Sequence, residues 1–299
     1  MASFDRAVLK GNAKAVLKRI FGNALLLMLL FSVVSGAVAL VIMPVAFIIP
    51  FMSMGYFAYA EVVSIIMLVL LVSALIAAFC IFVIMPMSVG IRKFFNTTTY
   101  GTDEVSTLFF AFRKGNGYLN IVKTQFLVGL YTCLWGLIPF AGYFIMIYKM
   151  YGYYLVPFIL ADNPHMPASR AIQLSEQMMH GRRFELFVLN ISFIGWYLLS
   201  SLVPGIGSFL VMPYVYATEA QFYMQVSWDA MNRGLTSRTE MGLPALAPAV
   251  DPQYAQSAPG YAPAYAPAYA PQPAQPVQQQ PAQPPQPQSE PSGFGDNFL

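Results

Sequence analysis

The fold that the sequence predicts depends on one stretch, from Leu160 to Tyr223. It begins LADNPHMPASRAIQLSEQMMHGRRFELF, continues VLNISFIGWYLLSSLVPGIGSFLVMPYVY and ends ATEAQFY. The first third is polar and is interrupted by the helix-breaking pair Asn163-Pro164. The rest holds two apolar runs, Phe187–Val203 and Phe209–Ala217, on either side of a short turn rich in proline and glycine. A polar surface segment therefore leads into a membrane hairpin, around which we expect the other apolar runs to pack.

The composition of the whole chain indicates a membrane protein. Of its 299 residues, 57% are hydrophobic and only 10% are charged, whereas soluble domains contain about 25% charged residues. Between Phe21 and Ile91 there is no Lys or Arg, and only Glu61 is acidic. Bilayer spans require such long stretches without cations, but soluble cores do not. The net charge of +3 is too small to indicate nucleic-acid binding.

The apolar runs predict an all-α membrane protein, a six-span helical bundle. Residues 121–160 are compatible with one long kinked helix or with two spans, and the cations on both flanks favour two spans. With both termini in the cytoplasm, every Lys and Arg except Lys149 then faces the cytoplasm. The predicted spans lie at about 24–43, 62–89, 121–138, 142–160, 184–203 and 206–226.

Amphipathic surface helices are predicted beside the membrane domain, which extends over residues 24–230. Residues 1–23 are basic and loosely amphipathic, as is typical of segments that lie on an anionic leaflet. A secretory signal cleaved after Ala39 is an alternative, but the apolar run continues to Ile42, which favours an uncleaved first span. Residues 103–114 have apolar side chains at helical spacing, and the predicted helix is too short to cross a bilayer.

Residues 231–299 are predicted to form a cytoplasmic linker and a disordered C-terminal tail. From Pro244 onward the chain is rich in Pro, Gln and Ala and contains no cation. Such a segment cannot bury enough apolar surface to offset its ordering entropy. Its PxxP spacings, for example from Pro273 to Pro276, suit a protein domain that reads proline motifs. A tether without a dedicated reader is an equally good interpretation.

Lys149 is the sharpest candidate for a functional residue, because an ammonium near the middle of a bilayer is unfavourable unless it is paired or hydrated. Glu219 in the last predicted span is its candidate partner, and together they would form an intramembrane polar site. Alternatively, the fourth span is tilted or shallow, and Lys149 extends to the interface among neighbouring tyrosines. The many tyrosines favour this alternative slightly, because tyrosine is enriched at interfaces.

Other conspicuous residues in the last spans predict structure rather than chemistry. Asp162, Asn163 and Pro164 are typical of a boundary between two helices, although a polar site at the membrane face is an alternative. Small residues permit close helix packing and tight turns. The further candidates for a structural motif are Gly195, Trp196, Gly205 and Gly207.

No catalytic residue, cofactor site or metal site is predicted. The serines of the last spans lack a His or Lys base at a plausible depth. Cys80 and Cys133 lie inside apolar runs, where free thiols pack as small hydrophobes. His165 and His180 are not at metal-ligand spacing with either cysteine.

A series of short sequence motifs occurs in a fixed order along residues 5 to 228. They are Leu108-Phe109, Leu134-Trp135, Leu160-Ala161-Asp162-Asn163-Pro164, Ala171-Ile172, Leu186-Phe187, Ser192-Phe193-Ile194-Gly195-Trp196, Gly205-Ile206-Gly207, Pro213-Tyr214 and Phe222-Tyr223. This series resembles domain-of-unknown-function family 975, whose members are bacterial integral membrane proteins. The resemblance implies a multi-pass α-helical protein and no established activity.

For function, the sequence favours a non-enzymatic membrane scaffold or accessory subunit whose tail recruits a cytoplasmic protein partner. The alternative is a transporter or lipid-handling protein that uses Lys149 and the polar ends of the last three spans. An intramembrane enzyme ranks third, because no nucleophile–base pair or metal cluster is apparent. The expected surroundings are the lipid bilayer of the bacterial inner membrane, with both termini cytoplasmic and no nucleic acid as a partner.

Overall fold

A computed structural model of the chain describes residues 6–52, 59–99, 104–139, 141–202 and 206–243. All regular structure in these ranges is helical, and no β-strand occurs within them. The prediction of an all-α protein is therefore confirmed for this part of the chain. The predicted tail from Pro244 onward and the turn residue Gly205 lie outside the described residues.

The helices follow one another with short connections. The α-helices are α1 (Arg6–Met52), α2 (Tyr59–Phe79), α3 (Met85–Thr99), α4 (Tyr118–Gly136), α5 (Ala141–Gly152), α6 (Val156–Asp162), α7 (Ala168–Met178), α8 (Arg183–Ile191), α9 (Ile194–Ser201) and α10 (Ile206–Asn232). A π-helical turn, Cys80–Ile84, joins α2 to α3, and a 3-10 helix, Val105–Phe112, follows α3.

Helices α1 and α10 pack against each other at the centre of the bundle. From Leu9 to Met28, every third or fourth residue of α1 is buried, as expected for a helix with one apolar face. The described part of the predicted basic segment, residues 1–23, belongs to the same helix as the first predicted span. From Arg6 onward they begin α1, and their apolar stripe packs in the core while Lys14 and Lys18 stay exposed.

Four segments of the described residues, rather than the predicted six, are long and apolar enough to cross a membrane. They are Arg6–Gly36, Ile66–Thr98, Ala141–Asp162 and Arg183–Ser201. These segments suggest a membrane protein, but the prediction of six spans is reduced to four.

The helices at the predicted spans 121–138 and 206–226 are not apolar enough to count as spans by composition, for different physical reasons. Helix α4 begins with polar turns that contain Asn120 and Gln125, so its apolar part is shorter than the roughly 20 residues that a crossing needs. Helix α10 contains Pro213 and Glu219 and is largely buried by other helices. Its residues therefore face protein, and they need not be as apolar as residues that face lipid.

Residues 121–160 contain most of α4, all of α5 and most of α6, and α4 and α5 pack side by side instead of forming one kinked helix. A Cβ added to Gly136 in α4 would lie 3.1 Å from the Sδ of Met146 in α5. The ammonium of Lys149 lies 5.8 Å from the centre of the Trp135 ring. Both contacts require that α5 runs back along α4, so the two helices form an antiparallel hairpin.

The segment after α3 forms a different helix from the one predicted. The sequence predicts an amphipathic α-helix over residues 103–114, but Val105–Phe112 is a 3-10 helix with a kink at Phe109. Its backbone lies directly on α3, because a Cβ added to Gly90 would be 2.2 Å from the carbonyl oxygen of Leu108. This close approach, which is invisible in the local sequence pattern, places Leu108 in the core.

Connections that carry many of the charges meet at one end of the bundle, which we call the polar end (residues 96–98, 113–120, 162–183 and 229–243). Each of the contacts that define it joins two of these segments or joins one to α1. The contacts are Arg19 with the carbonyl of Thr98, His165 with the carbonyl of Gly115, Arg170 with Glu240, and Arg182 with Asp229. The chain therefore returns to the same end after α5–α6 and again after α10.

Candidate functional site

Asp162 lies at the polar end, where α6 meets α3 and α10. Its carboxylate accepts a hydrogen bond from Nδ2 of Asn96 at 3.2 Å and another from the hydroxyl of Tyr223 at 2.7 Å. One turn earlier, the ring of Phe158 stacks on the Tyr223 ring at 5.0 Å between centroids. Asp162 therefore connects three helices, and both of its carboxylate oxygens are occupied.

Asn163 and Pro164 use their polar groups to hold the segment between α6 and α7. The Nδ2 of Asn163 donates to the carbonyl of Glu240 at 2.9 Å, and its Oδ1 accepts from the backbone N–H of His165 at 3.0 Å. The carbonyl of Pro164 accepts from Nδ2 of Asn120 at 2.9 Å. These bonds within the protein describe a helix boundary whose side chains have partners, rather than an open binding site.

Lys149 does not reach Glu219. Its ammonium forms an ion pair with Glu176 of α7, at 2.7 Å between Nζ and Oε1. The rings of Trp135 and Tyr153 lie 5.8 and 5.9 Å from the same ammonium. The two charged side chains are 27% and 30% exposed, so the pair lies at the edge of the bundle rather than in its middle. The structure therefore corrects the proposed partner, and the position resembles the interfacial alternative.

Glu219 lies inside the bundle on α10 and is only 6% exposed. Two polar groups interact with its carboxylate. The guanidinium of Arg92 on α3 attracts its charge, and the hydroxyl of Tyr154, between α5 and α6, forms a hydrogen bond with it. One carboxylate oxygen, Oε2, has no hydrogen-bond partner among the described residues. A buried carboxylate oxygen without a hydrogen bond lowers the stability of the folded protein, and such groups are usually retained for function. This position is therefore a candidate functional site.

Arg92 is the cation of this buried cluster. Its guanidinium lies between two aromatic rings, 5.4 Å from the centre of Phe158 and 5.5 Å from that of Tyr216. Nη1 donates to the carbonyl of Ser88 at 3.2 Å, but Nε has no partner within the described part of the chain. Guanidinium groups stack well on aromatic faces, and the stacking leaves the edge of the group available for an anion.

A cavity of about 170 Å³ opens beside Arg92, between α3, α4 and the α5–α6 segment. One part of its wall is polar and the other is apolar. The lining residues are Arg92, Gln125, Val128, Thr132, Met150, Tyr153, Tyr154 and Pro157. A few polar groups beside an apolar wall are typical of small-molecule sites, and the volume of this cavity, below the roughly 300–1,000 Å³ of pockets for drug-sized ligands, suits only a smaller molecule.

The residues of the predicted structural motif around α9 have different surroundings. A Cβ added to Gly207 would lie 2.2 Å from the carbonyl oxygen of Ser200, so α9 and α10 approach closely there. A Cβ on Gly195 would meet nothing within 4 Å. The neighbouring Trp196 packs against Tyr214 of α10, with 6.1 Å between ring centroids. Gly205 lies outside the described residues.

The described residues contain no cluster of three or more His, Cys, Asp or Glu side chains that could hold a metal ion. Cys80 and Cys133 are free thiols, the first half-buried and the second exposed. The side chains of Arg92, Tyr154 and Glu219 are suited to recognising charge and exchanging protons.

Residues 120–230 match the protein family described as "Protein of unknown function (DUF975)". The resemblance predicted along residues 5 to 228 is confirmed over this part of the chain. The DUF975 match begins in α4 and ends in α10, so it includes Lys149, the triplet from Asp162 to Pro164, and Glu219. Arg92 lies before it. No curated protein and no solved structure matches the chain significantly.

Sequence reasoning missed Arg92 and Tyr154. Arg92 is the first cation after a run of 72 residues without one, and it directly follows the predicted second span at 62–89. An arginine at that depth, next to an all-apolar run, is the signal that could have identified it. Tyr154 is one of many tyrosines in its segment, and nothing in the sequence distinguishes it from its neighbours.

Proposed function

We propose that the chain is an integral membrane protein that binds a small organic anion inside its helical bundle, as a transporter or lipid-handling protein. The observation that supports this proposal is the position of Arg92. Arg92 lines the cavity, and its buried Nε has no hydrogen-bond partner among the described residues. An anion in the cavity would supply that partner in a charge-assisted hydrogen bond. The four apolar segments support a membrane location.

The lining of the cavity favours an anion that carries a short apolar group. Arg92 and Gln125 provide hydrogen-bond donors on the polar side, and Val128, Met150 and Pro157 form the apolar side. A monocarboxylate would place its oxygens against the guanidinium edge and its carbon chain against the apolar wall. In the absence of such a ligand, Glu219 is the acid that balances the charge of Arg92.

Hexanoate and its neutral analogue hexanamide test this proposal. In purified full-length protein in detergent, hexanoate should raise the thermal unfolding midpoint in a concentration-dependent way, because a ligand that binds only the folded state stabilises it. Hexanamide should not. Arg92→Gln should abolish the shift, and the control Lys114→Gln, at an exposed surface cation, should retain it. Equal hexanoate shifts in the wild type and in Arg92→Gln would contradict the proposal.

A second candidate function is a membrane scaffold whose tail recruits a cytoplasmic partner, and the composition of residues 244–299 supports it. Pro-rich segments bind their readers at low ordering cost, because they are already extended. Crosslinking and affinity purification with the full chain and with a chain ending at Leu243 would test this. A protein partner captured only by the full chain would support the scaffold, and an unchanged set of partners would contradict it.

Both candidates share one proposed arrangement in the membrane. In this arrangement the chain is a bacterial inner-membrane protein with the cations of the polar end in the cytoplasm, as the positive-inside rule favours, and with both termini on the same side. Neither function requires catalysis by the chain.

A further inference from the structure

A second concave surface lies at the polar end, between the C-terminal end of α7, the start of α8 and the C-terminal end of α10. It is a groove of about 430 Å³ lined by Glu176, Gln177, His180, Arg183, Arg233 and Leu235. We call it the basic groove. It shares no lining residue with the cavity beside Arg92, and neither proposed function above uses it.

The cations of the basic groove outnumber the carboxylates that could neutralise them locally. Glu176 is engaged by Lys149 at 2.7 Å, and Arg233 shares Asp229 with the neighbouring Arg182. Arg183 forms no ion pair among the described residues, and its Nε is buried without a hydrogen-bond partner. The guanidinium of Arg183 is therefore the group in this groove that most lacks an anionic partner.

Aromatic rings hold Arg183 and Lys149 in place. The guanidinium of Arg183 lies 3.9 Å from the centre of the Tyr148 ring, and Gly152 provides space for it, because a Cβ there would be 3.0 Å from Nη2. Lys149 lies beside the rings of Trp135 and Tyr153. Cations next to Trp and Tyr are typical of the boundary between the hydrocarbon core and water.

The position of Arg183 along the chain also indicates this boundary. It is the first residue of the apolar segment Arg183–Ser201, which is long enough to cross a membrane. Directly after it, Phe184 is 72% exposed and Phe187 is 39% exposed, and their rings lie 6.0 Å apart. An apolar strip therefore begins where the groove ends.

We propose that the basic groove binds the phosphate group of an anionic membrane phospholipid. Arg183 provides a planar fork for two phosphate oxygens, and Arg233 and His180 line the same groove. The acyl chains lie along Phe184 and Phe187. This apolar strip favours a lipid over a free phosphate ion, which would have no use for it. Basic pockets between helices at the cytoplasmic face are suited to such headgroups.

The experiment uses the purified full chain and native mass spectrometry with three probes: phosphatidylglycerol, phosphatidylcholine and inorganic phosphate. The wild type should retain phosphatidylglycerol and bind phosphatidylcholine more weakly. Arg183→Gln should weaken phosphatidylglycerol binding about tenfold, since a charge-assisted hydrogen bond is lost. Arg183→Lys should restore only part of it, because an ammonium lacks the fork. The control Arg113→Gln, at an exposed cation outside the groove, should bind as the wild type does.

Further variants keep the test decisive if Arg183→Gln unfolds the protein. Arg233→Gln changes a side chain that is 38% exposed and should also weaken phosphatidylglycerol binding. Phe184→Asn should weaken binding of the lipid without changing the affinity of the groove for inorganic phosphate. Two outcomes would overturn the proposal. One is equal retention of phosphatidylglycerol by the wild type, Arg183→Gln and Arg233→Gln. The other is complete displacement of the lipid by millimolar inorganic phosphate, which would indicate a site for free phosphate.

Discussion

The polar end is held together by single side chains that each satisfy groups on distant segments. Asn163 is the clearest case, because its amide donates to one backbone carbonyl and accepts from one backbone N–H. Gly242, with φ of +68°, allows the last described turn to approach, since a Cβ there would lie 2.8 Å from the carbonyl oxygen of Asp162. A buried backbone group that loses its partner is costly, so stability at this end depends on few residues.

Asn163→Ala should therefore destabilise the protein by about 1–3 kcal/mol, the usual cost of leaving a partly buried polar partner unsatisfied. The carbonyl of Glu240 would lose its donor, and the backbone N–H of His165 would lose its acceptor. Thermal unfolding in detergent measures the change, with the exposed Ser169→Ala as the control. If both variants unfold at the wild-type midpoint, the two hydrogen bonds do not stabilise the folded state.

The ion pair between Arg170 and Glu240 makes the stability of the polar end depend on pH. The hydrogen bond from Arg170 lowers the pKa of Glu240 below its ordinary value of 4.5. A lowered pKa in the folded state stabilises the fold above pH 4.5, and this contribution is lost as the pH falls through the folded pKa. Glu240→Gln should therefore lower the unfolding midpoint at pH 7, and by less at pH 3.5. A constant difference across this range would show that the carboxylate charge is not the cause.

Among the elements, the α9–α10 hairpin shows how glycine permits close packing. At Gly207 an added Cβ would lie 2.2 Å from the carbonyl oxygen and 2.6 Å from the Cα of Ser200, so backbone would have to move. At Gly195, one helix earlier, the space around an added Cβ is open. The sequence predicts both glycines as parts of one structural motif, but only Gly207 lies at a point of close approach.

Gly207→Ala should accordingly cost about 1–3 kcal/mol, the range typical of overpacking against a rigid neighbour. Gly195→Ala is the matched control. It adds the same methyl group in a helix with free space, and alanine there is favoured by helix propensity, so stability should stay equal or rise by up to about 1 kcal/mol. Unfolding midpoints of the two variants decide the point. Equal destabilisation by both would mean that the hairpin does not depend on close contact at Gly207.

For the whole molecule, the sequence predicts what depends on local composition. The all-helical content and the apolar character of α2, α8 and α9 follow from runs that are visible without any structure. The number of spans could not be predicted from apolarity alone, because α10 is shielded by protein rather than by lipid.

The candidate site depends on long-range contacts, and its membership was therefore only partly predictable. The sequence predicts Glu219 as the intramembrane partner of Lys149, but in the structure Lys149 pairs with Glu176. Lys149 and Glu176 come together through the packing of α7 on α5, and Arg92 approaches Glu219 through that of α3 on α10. No spacing in the sequence encodes either pairing, because the residues concerned are 27 positions apart in the first case and far more in the second.

A single polar end implies a testable arrangement of the chain in the membrane. Arg170 with Glu240 and Arg182 with Asp229 hold residues 162–183 and 229–243 together, so both segments must face the same side. The turn between α4 and α5, where Leu137 is 77% exposed, follows a helix that leads away from this end. By the positive-inside rule we propose that the polar end faces the cytoplasm and that this turn faces outside, so that α4 crosses within the bundle although its composition alone is less apolar than that of a lipid-facing span.

Single cysteines in a background with Cys80→Ser and Cys133→Ser can test this arrangement in intact cells with a maleimide that does not cross membranes. Leu137→Cys should react from outside. Ser169→Cys and Ser237→Cys, both at exposed positions of the polar end, should react only after the membrane is permeabilised. The comparison of the last two is the decisive one, because their segments are joined by ion pairs within one protein. If Ser169→Cys and Ser237→Cys react from opposite sides, the polar end cannot exist in the membrane, and the basic groove would be lost with it.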